Sequence, residues 1–238
     1  MCIIGASHLL ITPPQVAITV SLTTLRRNLR LTVSRGNIAV TRLPLCPDIQ
    51  LYLLAADYPT GPLPSDEMLA IMDAPAYWSF CWASGQALAR YILDHPLCFA
   101  DRKIIDFGSG SGVVAIAAAK AGAREVYACD IDCHALDAAS ANADLNNVSV
   151  ELTQSIEEIT QPFEMIIAAD VFYDRDNHHF LAEFLQRAPQ VLAADSRMKS
   201  EAIKGYRVIE QMTATTIPDI NESEEFNRVR IYRPDPSV

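Results

Sequence analysis

The sequence predicts an α/β protein with a doubly wound, largely parallel sheet of seven strands and an antiparallel hairpin added at one edge. Three observations support this fold class. Between residues 103 and 194, short β-type runs alternate with helical patterns, which is typical of a parallel sheet covered by helices on both faces. Two further strand-like runs close the chain without a long helix between them. The 238 residues are half hydrophobic, a composition that excludes a wholly disordered or fibrous chain.

Each element follows from its local hydrophobic pattern. Apolar residues at helical spacing predict a helix over 85–94. Buried strands are predicted over 103–107, 125–130, 148–152, 163–169 and 190–194, with helices over 113–121, 133–145 and 178–187. Strands over 206–214 and 226–232 form the predicted edge hairpin. Prolines and acids in residues 48–76 indicate a connecting segment that leads into an aromatic cluster.

The N-terminal 47 residues differ from the rest of the chain in charge. They contain five arginines and no acid, whereas the whole chain has 29 acids against 19 Lys and Arg and a net charge of −10. We therefore predict a basic N-terminal extension over 1–47 and a single domain over 48–238. An arginine-rich, acid-free start is typical of a transit peptide, which would place the protein in the mitochondrial matrix. The alternatives are a short β-element over 15–24 and an extension from an early start codon.

Cysteine spacing and net charge indicate the cellular compartment and the classes of partner that the protein can have. The six cysteines form no Cys-x-x-Cys pair and lack histidines at zinc spacing, so no metal site is expected. Reduced thiols favour a cytoplasmic location over secretion. The negative net charge repels the phosphate backbone of nucleic acids, so nucleic acid is not an expected partner. Pro13-Pro14 interrupts the uncharged first 25 residues, so no membrane association is expected. The oligomeric state stays open.

The residues that can carry chemistry stand at predicted strand ends, where ligands bind in such sheets. The first strand ends near Asp106 and leads into Gly-Ser-Gly-Ser-Gly over 108–112, which lets the backbone approach a ligand closely. Val113 replaces the third glycine of a dinucleotide fingerprint, and Asp106 would repel a pyrophosphate, so an NAD-dependent oxidoreductase is disfavoured. The second strand ends in Asp130, which can accept both hydroxyls of a ribose. An acid, a glycine loop and a second acid predict a site for S-adenosylmethionine, a cationic nucleoside.

Three motifs resemble those of the seven-β-strand methyltransferases, and more narrowly the protein-lysine methyltransferases of methyltransferase family 16. They are the Trp-Ala-Ser-Gly-Gln segment that begins at Trp82, the loop over 106–112 with Asp130 after it, and the run Asp-Val-Phe-Tyr over 170–173. They look most like the electron-transfer-flavoprotein β-subunit lysine methyltransferases and their bacterial relatives. The resemblance covers residues 41–197. It departs at Ala83-Ser84, where the family usually has Pro-Gly, and at 193–197, where it often has Gly-Asp-Pro-Gly-Arg.

The resemblance implies a Rossmann-like fold and a methyltransferase domain that uses S-adenosylmethionine and releases S-adenosylhomocysteine. The implied partner is a protein substrate with an accessible lysine. The implied catalytic residues are Asp170, which would hold this lysine, and Tyr173, which would wall the channel that the lysine enters. The implied cofactor-binding residues are Trp82, Asp106, Gly108, Ser109, Gly110, Gly112, Asp130 and Ile131. Asp170 can instead cap a helix, and Trp82 can be a core aromatic. The alternative acceptors are a small amine and a ribosomal protein, and a third interpretation is a binding scaffold without catalysis.

Overall fold

The computed structural model describes residues 20–59, 61–198, 203 and 205–237. The helices of this part of the chain are α1 (Leu22–Leu29), α2 (Ser65–Asp73), α3 (Ala83–Asp94), α4 (Val113–Lys120), α5 (Cys133–Leu145) and α6 (His179–Arg187). The strands are β1 (Ile38–Arg42), β2 (Gln50–Leu54), β3 (Lys103–Phe107), β4 (Glu125–Cys129), β5 (Glu151–Thr153), β6 (Met165–Ala169), β7 (Gln190–Asp195), β8 (Tyr206–Thr213) and β9 (Arg228–Pro234).

Seven of the strands form one sheet in the order β5-β4-β3-β6-β7-β9-β8. The first five of these strands run parallel, and β9 is antiparallel to both β7 and β8. The order reverses between β3 and β6, so the cleft outside the carboxyl ends of these strands is the expected ligand site. The predicted doubly wound sheet with a C-terminal antiparallel edge hairpin is confirmed.

The two central strands are buried on both faces. Ile104 and Ile105 of β3, and Ile166 and Ile167 of β6, have no exposed surface. A continuous apolar run is expected where helices cover both sides of a parallel sheet. The rigid centre holds the strand ends, and therefore the loops that follow them, in fixed positions.

The N-terminal elements pack against α5. Strands β1 and β2 pair antiparallel across the predicted boundary at residues 47 and 48. The backbone N–H of Tyr52 donates to Oδ1 of Asn142 at 2.6 Å, and Nδ2 of Asn142 donates to the carbonyl of Ser111 at 2.8 Å. One buried amide thus joins the edge of β2 to the glycine loop. Leu25 and Leu29 of α1 are fully buried in a cluster that includes alanines of α5.

Three local predictions differ from the structure. The segment 48–76 contains β2 and α2 as well as connecting turns. The third strand begins at residue 151 rather than 148, because Asn147 adopts a positive φ and the N–H of Val148 donates to the carbonyl of Ala143, which closes α5. The β-element considered for 15–24 is wrong at Leu22–Thr24, where α1 begins. Residues 1–19, on which the transit-peptide hypothesis mainly depends, lie outside the described residues. Among the described helices, none has the length and apolar character needed to cross a membrane.

Candidate active site

A cleft of about 1240 Å³ opens at the carboxyl ends of the parallel strands. Small-molecule pockets usually measure about 300–1,000 Å³, so this cleft has room for a nucleoside cofactor and part of a second molecule. The loops after β3, β4, β5 and β6 all contribute to it. The predicted site residues that line it are Trp82, Gly108, Gly110, Asp130, Ile131, Asp170 and Tyr173.

The three glycines of the loop after β3 have positive φ, but their surroundings differ. A Cβ on Gly108 would lie 2.6 Å from Cγ2 of Val171, and a Cβ on Gly112 would lie 2.9 Å from Cα of Ala139. Both positions therefore need glycine for packing inside the protein. At Gly110 no described atom lies within 4 Å of that position, so the loop leaves open space beside its backbone at the cleft.

The loop is closed by hydrogen bonds to the end of the neighbouring strand. The N–H groups of Gly108 and Ser109 donate to the carbonyl of Cys129. The N–H of Gly110 donates to Oδ2 of Asp130 at 2.9 Å, and Oδ1 of Asp130 accepts from the N–H of Asp132 at 3.0 Å. Burial raises the pKa of Asp130. This carboxylate therefore fixes the loop while it faces the cleft.

Two predicted cofactor-binding side chains lie beneath the loop instead of lining the cleft. Oδ2 of Asp106 accepts from the N–H of Ala115 at 2.9 Å, at the start of α4, and burial raises the pKa of Asp106 to about 7. The hydroxyl of Ser109 is buried and has no hydrogen-bond partner among the described residues. A direct contact between either side chain and a cofactor stays a prediction.

The cleft is strongly acidic. Arg197 is the one arginine or lysine among the described residues that line it. The acids that line it come from α2, α6 and the loops after β4, β5 and β6: Asp73, Asp130, Asp132, Glu157, Asp170, Asp174 and Glu183. Clefts walled by one sign of charge concentrate ligands of the opposite sign. The site therefore favours cations such as a sulfonium or an ammonium group.

Aromatic and apolar side chains cover the mouth of the cleft. Trp82 packs against Tyr77 and Phe80, with ring centroids 5.7 and 5.4 Å apart, and its indole N–H donates to the carbonyl of Tyr77 at 3.0 Å. The hydrogen bond orients the Trp82 ring. Ile131 follows β4 and is 90% exposed. An exposed isoleucine beside an acidic cleft offers an apolar face to a planar ring.

Asp170 directly follows β6 and caps a helix from another part of the chain. Its Oδ2 accepts from the N–H of Ser84 at 2.9 Å, and its Oδ1 accepts from the Ser84 hydroxyl at 2.5 Å. Ser84 lies in the first turn of α3, where free N–H groups favour a carboxylate. Burial raises the pKa of Asp170 to about 7. The capping role considered for Asp170 is therefore present, on α3, and Asp170 also lines the cleft.

Tyr173 and Arg197 face each other across the cleft entrance. Tyr173 is 46% exposed, and the guanidinium carbon of Arg197 lies 6.0 Å from its ring centroid. Arg197 is held by an ion pair of 2.5 Å with Glu222 and lies 4.4 Å from the ring centroid of Phe226. These contacts fix a positive charge beside the tyrosine.

Sequence reasoning missed several residues of the site. Ser84 forms the Asp170 cap but stands 86 positions away in the chain. Arg197 carries a charge into the cleft from the loop after β7. Gln154, Ser155 and Ile156 line the cleft after β5. The signal for the last three is their position after a strand, because the strand predicted over 148–152 ends within one residue of the end of β5.

Comparisons with known proteins agree with this geometry. Residues 87–174 match the family model described as ribosomal protein L11 methyltransferase (PrmA). A magnesium protoporphyrin IX methyltransferase from Synechocystis with bound S-adenosylmethionine superposes with a TM-score of 0.51, covering 75% of this chain and 88% of that one at 14% identity. The chain thus has a methyltransferase fold of the Rossmann-like type.

The similar sequences are more specific. The chain is 35% identical over 159 residues to the electron transfer flavoprotein beta subunit lysine methyltransferase of Danio rerio, covering 63% of this chain and 62% of that protein. It is 29% identical over 227 residues to the homolog in Caenorhabditis elegans, covering 82% and 92%. The chain spans less than two thirds of the vertebrate relatives it matches, with 44% for the Mus musculus protein. The resemblance to these lysine methyltransferases is confirmed.

Proposed function

We propose that this protein is an S-adenosylmethionine-dependent N-methyltransferase that methylates lysine side chains of a protein. The observation that carries the proposal is the acidic cleft, which joins an open glycine loop and Asp130 on one side to Asp170 and Tyr173 on the other. Both molecules in such a reaction, a sulfonium nucleoside and a lysine, bring positive charge to the cleft. The sequence relatives named as lysine methyltransferases favour the same activity.

The residues present fit the cofactor. Gly110 leaves room for a ligand to approach the backbone, and Asp130 offers its remaining lone pairs to ribose hydroxyls. Ile131 and Trp82 supply apolar faces for the adenine and the methionine portion. When bound, S-adenosylmethionine would supply an electrophilic methyl carbon that an amine attacks in line, with S-adenosylhomocysteine as the leaving group. Asp106 would act from below the loop, through the start of α4 that it holds.

The chain must hold a lysine amine as a neutral nucleophile. Free lysine has a pKa of about 10.4 and arrives protonated. A carboxylate favours the charged form, so Asp170 would orient the amine rather than remove its proton. The fixed guanidinium of Arg197 near Tyr173 favours loss of a proton from a second cation beside it. Tyr173 would wall the channel by cation–π contact, and the proton would leave to water. Catalysis would come mainly from positioning.

The electron transfer flavoprotein β subunit is the first acceptor to test, because the relatives in several animals are named for it. A ribosomal protein is the second, because the matching family model is that of an L11 methyltransferase. Purified samples of both proteins are incubated with the enzyme and labelled S-adenosylmethionine, and the labelled residue is mapped by mass spectrometry. Label on a lysine of the flavoprotein subunit supports the first acceptor, and label confined to L11 supports the second.

Cofactor binding has its own test. Calorimetry with S-adenosylhomocysteine is expected to show binding to the wild type and a loss of affinity of at least about tenfold in Asp130→Ala, since the carboxylate that accepts from the ribose hydroxyls is removed. Asp144→Ala is the matched control, because Asp144 is exposed on α5 and outside the cleft. Equal affinity in both variants would contradict the assignment of Asp130. No binding to the wild type would favour the scaffold interpretation.

A further inference from the structure

One face of α1 carries a cluster of positive charge. Arg26, Arg27 and Arg30, together with Thr23 and Leu31, line a shallow depression on the surface. Their spacing places them on the same side of the helix. The opposite side of α1 is fixed to the domain, because Leu25 and Leu29 are fully buried and Nδ2 of Asn28 donates to Asp137 at 2.8 Å. The cluster is therefore held in place on a docked helix.

The three arginines lack acidic partners within the part of the chain that is described. None of them takes part in an ion pair or a side-chain hydrogen bond there, whereas Arg35 pairs with Glu67 at 2.9 Å. The Nε of Arg26 is buried and has no described acceptor. Residues 1–47 contain no acid that could neutralise them. Unmatched charge in a protein of net charge −10 indicates a surface suited to an anionic partner.

This basic face continues into the acidic cleft. Leu31 lines both, and Asn28 in the last turn of α1 and Thr32 in the segment after α1 also line the cleft. Leu31 itself is 62% exposed. The depression lined by the arginines and the cleft therefore adjoin at Leu31, so a molecule that extends out of the cleft on this side meets the arginines. The charge pattern along this path is negative at the cleft and positive at α1.

We propose that the basic face of α1 docks an acidic segment of the protein substrate, next to the lysine that enters the cleft. This inference rests on the proposed function and specifies its substrate as a lysine flanked by two or three carboxylates on one side. Arg26 and Arg30 are one helical turn apart, about 6 Å along the axis, which suits a short acidic run. A long polyanion or an anionic membrane fits less well, because the seven cleft acids beside the three arginines would repel it.

The test uses binding, so that it does not depend on turnover. The probes are 15-residue peptides with a neutral dye and one central lysine, carrying three glutamates on one side, three on the other side, or glutamines in their place. Fluorescence anisotropy is measured with the whole protein saturated with S-adenosylhomocysteine. At about 0.05 M salt we expect one glutamate peptide to bind about tenfold more tightly than the glutamine peptide, with the preference falling to about twofold at about 0.5 M salt.

Variants then locate the contact. The triple variant Arg26→Gln, Arg27→Gln, Arg30→Gln is expected to lose the preference for glutamate. The matched control replaces the exposed arginines Arg207, Arg228 and Arg233 of the β8–β9 hairpin by glutamine, which changes the net charge equally. The control is expected to retain most of the preference. Calorimetry with S-adenosylhomocysteine verifies that each variant is folded.

Each remaining outcome overturns the proposal. Equal affinity for glutamate and glutamine peptides, or an equal loss in both triple variants, would show that α1 does not dock an acidic segment. Tighter binding of duplex DNA or of phosphatidylserine vesicles than of the glutamate peptides would assign the face to another anion. If the wild type binds no S-adenosylhomocysteine at all, the proposed function fails, and the peptide result still reports separately on the arginines.

Discussion

Two glycines of the same loop are expected to respond to alanine in opposite ways. Gly112 has a φ of +78°, and its Cβ would lie 2.9 Å from Cα and 3.0 Å from Cβ of Ala139. Gly110 has a φ of +51°, and no described atom lies within 4 Å of its Cβ position. The substitution Gly112→Ala therefore perturbs packing, and Gly110→Ala perturbs the cleft.

The magnitudes follow from these contacts. A left-handed backbone costs about 1–2 kcal/mol for alanine relative to glycine. Overpacking against the backbone of α5 adds about 1–3 kcal/mol at Gly112. Since about 1 kcal/mol shifts the melting temperature of a domain of this size by about 2–4 °C, Gly112→Ala should lower it by at least about 4 °C. Gly110→Ala should lower it by less than about 8 °C, from backbone strain alone.

The assay combines thermal unfolding with calorimetry. Gly110→Ala is expected to weaken the binding of S-adenosylhomocysteine by at least about tenfold, because the methyl group of the alanine fills space that the ligand needs. Gly112→Ala should keep the affinity of the wild type at a temperature where it is folded. A Gly110→Ala variant with full affinity, or a Gly112→Ala variant with lost affinity and an unchanged melting temperature, would refute the distinction between the two glycines.

Three further changes test the surrounding framework. Burial raises the pKa of Asp106 above its unfolded value, so the folded state binds the extra proton and stability falls as pH rises from about 4 to 7. Asp106→Asn should flatten that decline in melting temperatures measured from pH 5 to 8, and an unchanged slope would contradict it. Ser84→Ala removes the 2.5 Å hydrogen bond to Asp170, and we expect the free energy of unfolding measured with denaturant to fall by about 1–3 kcal/mol. We also expect a higher apparent pKa in the pH dependence of turnover. An identical pH profile would exclude a role of Ser84 in holding the Asp170 carboxylate. Asn142→Ala removes the amide that joins β2 to the glycine loop. It should lower the free energy of unfolding by about 2–4 kcal/mol, and a decrease below about 0.5 kcal/mol would contradict this role.

The central sheet could be predicted because its signals are local. The helix predicted over 133–145 has the bounds of α5, and the strand predicted over 103–107 has those of β3. Buried strands and alanine-rich helices in alternation leave few topologies, since parallel crossovers are right-handed and short. The ends of the first two strands also located Asp130 and the glycine loop correctly at the cleft.

The missing parts depend on contacts between distant residues. Backbone N–H groups of β2 donate to the side-chain amides of Asn142 in α5 and of Asn146 directly after α5, and no pattern within residues 48–76 reveals these contacts. The Asp170–Ser84 bond joins two motifs that lie 86 residues apart in the chain. The different roles of Gly110 and Gly112 follow from how closely α5 approaches the loop, and that approach is a property of the packed structure.

The most direct test of the central claim is methyl transfer from labelled S-adenosylmethionine to purified electron transfer flavoprotein β subunit. The wild type is compared with Asp170→Ala and with the control Asp144→Ala. We predict label on a lysine, a loss of transfer rate of about 10²–10³-fold in Asp170→Ala from lost positioning, and S-adenosylhomocysteine affinity retained in both variants. If calorimetry shows that S-adenosylhomocysteine binds but no label appears on the flavoprotein subunit, on L11 or on any other protein, the assignment as a protein-lysine methyltransferase is contradicted.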